Sequence, residues 1–227
     1  MVLRIGHRGT AGHEPENTLR SFEAAVRLGA DMVEFDVHVC SSGELVVIHD
    51  ETVDRTTDGS GAVARMTLRE LKALDAGKEE KIPTLGEVFS LLRGRVAVNI
   101  ELKGRGTAEP VQEYITALIR GGSWSLDEVL VTSFDWRILG VVRELSADTR
   151  LGPLVYEDVD EALRVATDLE SHSVNPYHRF IDLSFVEEVH DRGINMYPWT
   201  VDDPEDIRRV IGMGVDGVIS NYPERII

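Results

Sequence analysis

The segment Asp31–Val39 places two carboxylates inside a strand-like run of apolar residues. Because side chains two residues apart on a strand share a face, Glu34, Asp36 and His38 point to one side and the apolar residues between them to the other. Two carboxylates on one face repel each other by about 4 kcal/mol at ~4 Å and an effective dielectric of about 20. A divalent cation resolves this repulsion; a polar face that meets solvent is the alternative. The helix that ends at Gly29 favours the cation, since it indicates a βα unit whose parallel strands are buried on both faces.

A later strand, Val96–Leu102, offers a third carboxylate. Its apolar residues form one face, which leaves Glu101, and Lys103 just beyond it, pointing inward. Three carboxylates without a thiol form a hard oxygen site that suits Mg²⁺ or Ca²⁺ and disfavours zinc. We therefore predict one divalent metal ion, Mg²⁺ or Ca²⁺, with Glu34, Asp36 and Glu101 as its ligands.

Two histidines are predicted to face the same site. His7 ends the first predicted strand, and His49 follows a hairpin in which Ser42-Gly43 is a two-residue turn. In that register His49 returns opposite Asp36. Imidazoles titrate near neutral pH, so one histidine can remove a proton while the other supplies one. Which histidine takes which part stays open.

Arg8 and Lys103 provide positive charge beside the predicted metal, as the binding of a phosphate group requires. The alternative is that both side chains only neutralise the carboxylates. Asp54 and Arg55 are interpreted as an ion pair within a loop. A hydrogen-bonded structural role is favoured for the other histidines, which are His13, His38, His172, His178 and His190.

Strands alternate with helices along the chain. Strands are predicted at Leu3–His7, Asp31–Val39, Val96–Leu102, Glu128–Thr132, Arg150–Val155, Ser171–Val174, Ile194–Pro198 and Val215–Ser220. Helices are predicted from Thr18 to Gly29 and at Ala108–Arg120, Trp136–Leu145, Asp158–Asp168, Asp182–Arg192 and Pro204–Gly212. Eight such strands favour an α/β fold closed as a (β/α)₈ TIM barrel, with a doubly wound open sheet as the alternative. The candidate residues fall at the carboxyl ends of the strands, where TIM barrels carry their chemistry.

The segment between the second and third predicted strands is longer than an ordinary βα loop. It holds the hairpin, a polar loop and the short helix Leu68–Leu74, and it precedes the second barrel helix, Leu85–Leu92. No linker or low-complexity run separates it from the barrel. We predict a single domain over residues 1–227 with a small inserted subdomain at about 40–82.

Composition limits the classes of partner. A net charge of −16 repels polyanions, so neither nucleic acid nor stable membrane association is expected. A small anionic substrate is compatible with this charge if a metal and a few basic side chains reverse the local field. The opening MVLRIGHRG lacks a charged-then-apolar leader, and a cytoplasmic location is expected. The single cysteine, Cys40, agrees with a reducing compartment. The sequence does not indicate an oligomeric state.

A set of short motifs resembles, in order, those of the glycerophosphodiester phosphodiesterase family. The likeness extends from residue 3 to residue 223 and combines His7-Arg8-Gly9, Pro15-Glu16-Asn17-Thr18, Glu34-Phe35-Asp36-Val37, His49-Asp50, Ile82-Pro83-Thr84-Leu85, Asn99-Ile100-Glu101-Leu102-Lys103, Trp199-Thr200-Val201 and Asp216–Pro223. The resemblance implies a TIM barrel with a small inserted subdomain. It also implies a phosphoric diester hydrolase that converts glycerophosphodiesters to an alcohol and sn-glycerol 3-phosphate.

The resemblance further implies a role for each candidate residue. The metal ligands would be Glu34, Asp36 and Glu101, the acid/base pair His7 and His49, and the phosphate contacts Arg8 and Lys103. Trp199 is expected either to cover the glycerol carbons of the substrate or to pack at the barrel rim. Two functions are alternatives to this hydrolase: a lysophospholipase D-like activity, and a non-catalytic module that binds phosphate ligands. The presence of both histidines disfavours the module.

Overall fold

Nine strands and eight α-helices form the regular structure of the described residues, 2–104 and 106–227, in a computed structural model of the chain. Met1 and Arg105, which belong to the predicted domain of residues 1–227, lie outside the described residues. The strands are β1 Leu3–Gly6, β2 Met32–Val39, β3 Leu45–Val47, β4 Ala97–Leu102, β5 Val129–Ser133, β6 Arg150–Val155, β7 Ser173–Pro176, β8 Asn195–Met196 and β9 Gly217–Ser220. The helices are α1 Leu19–Arg27, α2 Leu68–Ala73, α3 Leu85–Leu92, α4 Ala108–Arg120, α5 Trp136–Leu145, α6 Val159–Asp168, α7 Leu183–Asp191 and α8 Pro204–Gly212.

Eight strands form a nearly closed parallel barrel in the order β8-β7-β6-β5-β4-β2-β1-β9. Backbone hydrogen bonds also join the two ends of this order. The Asp216 N–H donates to the Met196 carbonyl at 3.1 Å, and the Ile219 N–H donates to the Pro198 carbonyl at 3.0 Å. An open sheet would leave these strands as separate edges. The predicted TIM barrel is therefore confirmed, and the doubly wound alternative is wrong.

Side-chain caps fix the points at which the loops above the barrel enter the helices. The Thr18 hydroxyl accepts the Ser21 N–H at the start of α1, and Thr84 with Glu87 forms a capping box on α3. Aspartates cap α5, α6, α7 and α8 at Asp135, Asp158, Asp182 and Asp203. Each cap satisfies N–H groups that the first helical turn leaves unpaired. The loops at the carboxyl ends of the strands are thereby anchored at their helical ends.

Apolar packing fills the space between the strands and helices and the lower part of the barrel. Phe35 is fully buried on the outward face of β2, with its ring centroid 5.7 Å from that of Phe22 and 6.5 Å from that of Phe89. Inside the barrel lies a buried apolar cluster of Ile5, Met32, Leu130, Tyr197 and Ile219. With this volume occupied by apolar groups, the polar inward side chains collect at the carboxyl ends of the strands.

The hairpin register differs from the prediction. Ser41, Ser42 and Gly43 form a three-residue loop, because Gly43 has a φ of +97° that adds a left-handed residue to the turn. Ile48, whose N–H donates to the Asp36 carbonyl at 3.0 Å, thus lies opposite Asp36. The prediction that His49 pairs opposite Asp36 is wrong.

The boundaries of one strand also differ from the prediction. The strand predicted at Ser171–Val174 is β7, Ser173–Pro176. The turn that ends α6 places Glu170 at a φ of +47° and returns the Ser171 N–H to the Ala166 carbonyl. These residues complete the helix end and are not available to the sheet.

The inserted segment packs around a small core of its own between β2 and α3. This core consists of Cys40, Val46, Ile48, Val53, Val63, Leu71, Ala76 and Ile82. The strand β3 pairs antiparallel with β2 and so attaches the segment to the barrel. Within residues 2–104 and 106–227, every helix is too short or too polar to cross a membrane.

We expect Phe35→Ala to lower the free energy of unfolding by about 3–5 kcal/mol, because it empties a fully buried ring site between two helices. Chemical denaturation of the purified protein measures this loss. Leu145→Ala is the matched control, since Leu145 is 51% exposed and its truncation should change stability by less than about 0.5 kcal/mol. Equal losses in the two variants would contradict the packing described for β2.

Candidate active site

An open cavity of about 450 Å³ lies at the carboxyl ends of the barrel strands. Its lining residues come from seven of the eight barrel strands or the loops that follow them, and from the inserted segment. They are His7, Arg8, Glu34, His49, Asn99, Glu101, Lys103, Thr132, Phe134, Leu154, Trp199, Thr200 and Ile219. Six of the seven residues predicted as metal ligands, acid/base pair or phosphate contacts line this cavity. The seventh, Asp36, is buried directly beneath it.

Three buried carboxylates form the floor of the cavity. Asp36 on β2 is in register with Glu101 on β4, and Glu34 precedes Asp36 on the same face. One oxygen of each lies within 4.8 Å of the others. Burial, together with the charge of its neighbours, raises the pKa of Glu34 well above its ordinary value and that of Glu101 to about 8. The site therefore opposes full ionisation of its three carboxyl groups, because the solvent cannot screen their charges there.

The donor set of this cluster fits a divalent cation. All three side chains are carboxylates. Among the described residues, the buried Asp36 Oδ1 accepts no hydrogen bond and is balanced by an ion-pair contact of 3.2 Å with Lys103 Nζ. Hard ions such as Mg²⁺ and Ca²⁺ prefer oxygen ligands of this kind. Burial first, and then the repulsion between the carboxylates, raise the pKa values of Glu34 and Glu101, and a bound cation would remove that repulsion.

Two cationic side chains balance part of this charge. Lys103 Nζ lies 2.6 Å from Glu101 Oε1 and 3.2 Å from Asp36 Oδ1, and Arg8 Nε lies 3.4 Å from Asp36 Oδ2. Burial lowers the pKa of Lys103, but the charges of Asp36 and Glu101 raise it by more, so the ammonium stays charged. Burial likewise raises the pKa of Asp36, yet Lys103 and Arg8 bring it well below its usual range.

The loop after β1 is held in a strained conformation around these carboxylates. Arg8 and Asn17 have φ values of +50° and +57°, a region that residues other than glycine seldom adopt. In this conformation the Arg8 N–H donates to Glu34 Oε2 at 2.8 Å, and Asn17 Nδ2 donates to Asp36 Oδ2 at 2.7 Å. The loop therefore supplies donors that fix the orientation of two carboxylates.

His7 is oriented by residues from the far end of the chain. Its Nδ1 lies 2.8 Å from Asn221 Oδ1, while the Asn221 amide nitrogen donates to Asp202 Oδ2 at 2.7 Å. Since that bond fixes which end of the amide faces His7, Nδ1 carries the hydrogen and Nε2 keeps its lone pair. Burial and the Arg8 charge lower the pKa of His7 to about 4. The imidazole is thus neutral at physiological pH.

His49 reaches the cavity from the inserted segment even though the predicted hairpin register is wrong. Its Nδ1 lies 2.5 Å from Asp50 Oδ1. Arg55 holds Asp50 through two hydrogen bonds, and Asp54 instead accepts the Gly61 N–H at 2.7 Å. The predicted ion pair of Asp54 with Arg55 is therefore wrong, because the arginine bonds Asp50 and Glu16 instead.

Aromatic rings form one wall of the cavity. Trp199 is held by its indole N–H, which donates to the Asn175 carbonyl at 2.8 Å. The Phe134 ring stands edge-on to Trp199 with centroids 5.3 Å apart, and Lys103 Nζ lies 5.7 Å from the Phe134 centroid. The Tyr177 ring also packs against Trp199, with centroids 5.4 Å apart. Trp199 thus both lines the cavity and packs within the rim.

The other histidines bond outside the cavity. Their partners are the His49 carbonyl for His38, Glu224 for His13, Asn195 for His172, Arg209 for His178 and Asp216 for His190.

Residues that orient the site were not singled out from the sequence. They are Glu16, Asn17, Asp50, Asp202 and Asn221. Asp50, Asn221 and the Glu16-Asn17 pair lie within the family-like motifs of the sequence, but nothing in their spacing predicts their partners.

Comparisons with known proteins agree on one family. The sequence model of the glycerophosphoryl diester phosphodiesterase family matches residues 7–225. A glycerophosphodiester phosphodiesterase of Caldanaerobacter subterraneus subsp. tengcongensis is 40% identical over 235 residues, which cover 100% of this chain and 96% of that protein. A Bacillus subtilis glycerophosphodiester phosphodiesterase is 30% identical, with coverages of 98% and 84%. The structure of an Oleispira antarctica phosphodiesterase in complex with the product sn-glycerol-3-phosphate has a TM-score of 0.89 and 30% identity, with coverages of 98% and 94%.

The pKa of Glu101 predicts how stability depends on pH without metal. The value of about 8 in the folded protein lies above the ordinary 4.5. Protonated Glu101 therefore stabilises the fold fully below pH 4.5, and this stabilisation is lost as the pH rises through about 8. We expect the melting temperature in chelator to fall across this interval, and Glu101→Gln to flatten the decline.

The control is Glu188→Gln, which removes an exposed carboxylate paired with Arg192. It should leave the pH profile of the melting temperature unchanged. An identical decline in wild type and Glu101→Gln would show that Glu101 does not titrate in this interval.

Proposed function

The chain belongs to the glycerophosphoryl diester phosphodiesterase family, and we propose that it hydrolyses glycerophosphodiesters to sn-glycerol 3-phosphate and an alcohol at the cavity described above. The observation that carries the proposal is the convergence there of three carboxylates, two histidines and two cations. The Oleispira antarctica relative was solved with the product sn-glycerol-3-phosphate, which supports the same product here. We also propose that residues 1–227 act as one domain.

The carboxylates would hold one divalent ion, Mg²⁺ or Ca²⁺. Glu34, Asp36 and Glu101 are its proposed ligands. When bound, such an ion binds substrate phosphate oxygens and stabilises the charge that develops on them. The oxygen-only ligands support this assignment.

Arg8 and Lys103 are the proposed phosphate contacts. Both line the cavity, and both keep their charge next to the carboxylates. Once an ion offsets the carboxylates, these side chains can bond to an anion instead. Trp199 would cover the glycerol carbons from the aromatic wall.

The environments of the two histidines suggest which is the base. His7 is neutral, with the lone pair of Nε2 free of the bond to Asn221, and so is suited to remove a proton. His49 is paired with Asp50, which stabilises an imidazolium and suits an acid. Burial lowers the pKa of His49, and the Asp36 and Asp50 carboxylates offset only part of this shift. An incoming phosphodiester anion would raise the pKa further and so favour the imidazolium.

The proposed nucleophile is the glycerol 2-hydroxyl, which is already tethered to the phosphate. His7 removes its proton, the oxygen attacks phosphorus, and the departing alkoxide takes a proton from His49. A water then opens the resulting cyclic 2,3-phosphate at its bond to the 2-oxygen: His49 removes a proton from the water, and His7 returns a proton to the 2-oxygen. Direct attack by water on the substrate is the alternative.

Turnover should require a divalent ion. We expect a chelator to abolish the release of glycerol 3-phosphate from a glycerophosphodiester, and Mg²⁺ or Ca²⁺ to restore it, because the substrate is an anion facing three carboxylates. Glu101→Gln should raise the dissociation constant of the ion and leave the folded structure intact. Full activity of a metal-free preparation would contradict the assignment.

A substrate whose 2-hydroxyl is replaced by hydrogen should bind with similar affinity yet turn over at least about a hundredfold more slowly, since it lacks the tethered nucleophile. Rapid-quench samples of the normal substrate should contain the cyclic 2,3-phosphate. An unchanged kcat with the deoxy substrate would instead support direct attack by water.

A further inference from the structure

Arg55, in the inserted segment, bonds two carboxylates at once. Its Nε and Nη2 donate to the two oxygens of Asp50 at 2.7 and 3.0 Å, and its Nη1 and Nη2 donate to the two oxygens of Glu16, both at 2.8 Å. A planar guanidinium that is engaged along two edges fixes both carboxylates in one geometry.

Each of these carboxylates in turn holds a residue of the cavity. Asp50 Oδ1 lies 2.5 Å from His49 Nδ1, and Glu16 Oε1 accepts from Arg8 Nη1 at 2.8 Å. A chain of hydrogen bonds outside the cavity thus connects His49 to Arg8 through Asp50, Arg55 and Glu16. Arg55 itself is half-exposed and is not among the residues that line the cavity. Any effect on the reaction must pass through its neighbours.

We propose that Arg55 is a positioning residue that locks the Asp50 carboxylate against His49 and so aims His49 Nε2 at the leaving alcohol. The inference rests on the proposed function, in which His49 protonates the departing alkoxide. Asp50 has few means of staying in place without Arg55, since its carboxylate is partly exposed and would otherwise be free to hydrate. An imidazole whose Nδ1–H loses a fixed acceptor also loses its defined tautomer and orientation.

The consequence should depend on the leaving group. An ordinary alkoxide needs a proton as the P–O bond breaks, whereas 4-nitrophenolate leaves without one. If His49 is no longer held in its orientation, a substrate with an ordinary alcohol as leaving group should therefore be slowed far more than the 4-nitrophenyl substrate. A residue that only stabilises the fold would slow both equally.

The experiment compares single-turnover rates of alcohol release, and not of glycerol 3-phosphate formation, by the full-length, metal-loaded protein on two substrates, glycerophosphoethanolamine and the 4-nitrophenyl diester of glycerol 3-phosphate. We expect Arg55→Met to slow the ethanolamine diester at least about tenfold more than the nitrophenyl diester. His49→Ala should give the same selective loss. Arg55→Lys should recover part of the rate, because it keeps the charge and loses the bidentate geometry.

Two further variants keep the result interpretable. Asp50→Asn tests the same connection from the other side and should reproduce the selective loss, even if Arg55→Met folds poorly. In the double variant the loss should be no larger than in either single variant, as expected for residues that act as a unit. Arg69→Met is the matched control: it removes an exposed arginine of the same segment, on α2, and should leave both rates unchanged.

Equal slowing of both substrates in Arg55→Met and Asp50→Asn would overturn the inference and assign Arg55 a structural role. Unchanged rates in both variants would overturn it as well. A wild-type protein that is inactive on both diesters would instead refute the proposed function, and so the two failures are distinguishable.

Discussion

Repulsion among three buried carboxylates is the interaction on which the rest of the structure depends. Glu34, Asp36 and Glu101 lie within 4.8 Å of one another, where water cannot screen them. Two charged side chains are drawn in as a result, and the loop that carries one of them, Arg8, has a left-handed backbone that also bonds Glu34 through its N–H. Three carboxylates this close together lower the stability of the fold when no cation balances them. The same arrangement is suited to bind a divalent ion and, beside it, a phosphate.

The barrel fixes the positions of these carboxylates. Parallel pairing places Asp36 beside Glu101, and the apolar cluster inside the barrel offers these side chains no polar partners. Loops then complete the site from distant parts of the chain. His7 is oriented by Asn221, 214 residues away, and His49 is brought in by an inserted segment that carries its own small core. The rigid carboxyl ends of the strands thus position the charges, and the loops and the inserted segment position the two histidines.

Periodicity explains how much could be predicted from the sequence. Alternation along β2 and β4 was enough to place the carboxylates on one face, and helix signals separated the strands well enough to predict eight of them. Local backbone conformations could be predicted less well from the sequence. The positive φ of Gly43 adds a residue to the hairpin loop, so the predicted register of His49 is wrong even though the histidine reaches the cavity. One of the two partners of Arg55, Glu16, is 39 residues away along the chain, and the spacing of residues in the sequence does not predict such a contact.

A diffraction experiment tests the central claim most directly. Crystals grown with glycerol 3-phosphate and Mn²⁺, an anomalously scattering substitute for Mg²⁺, would locate the ion and the phosphate together. The account predicts an anomalous peak about 2.0–2.6 Å from oxygens of Glu34, Asp36 and Glu101, with the phosphate bonded by Arg8 and Lys103. An anomalous peak elsewhere, with Lys103 Nζ still lying between Asp36 and Glu101, would contradict it.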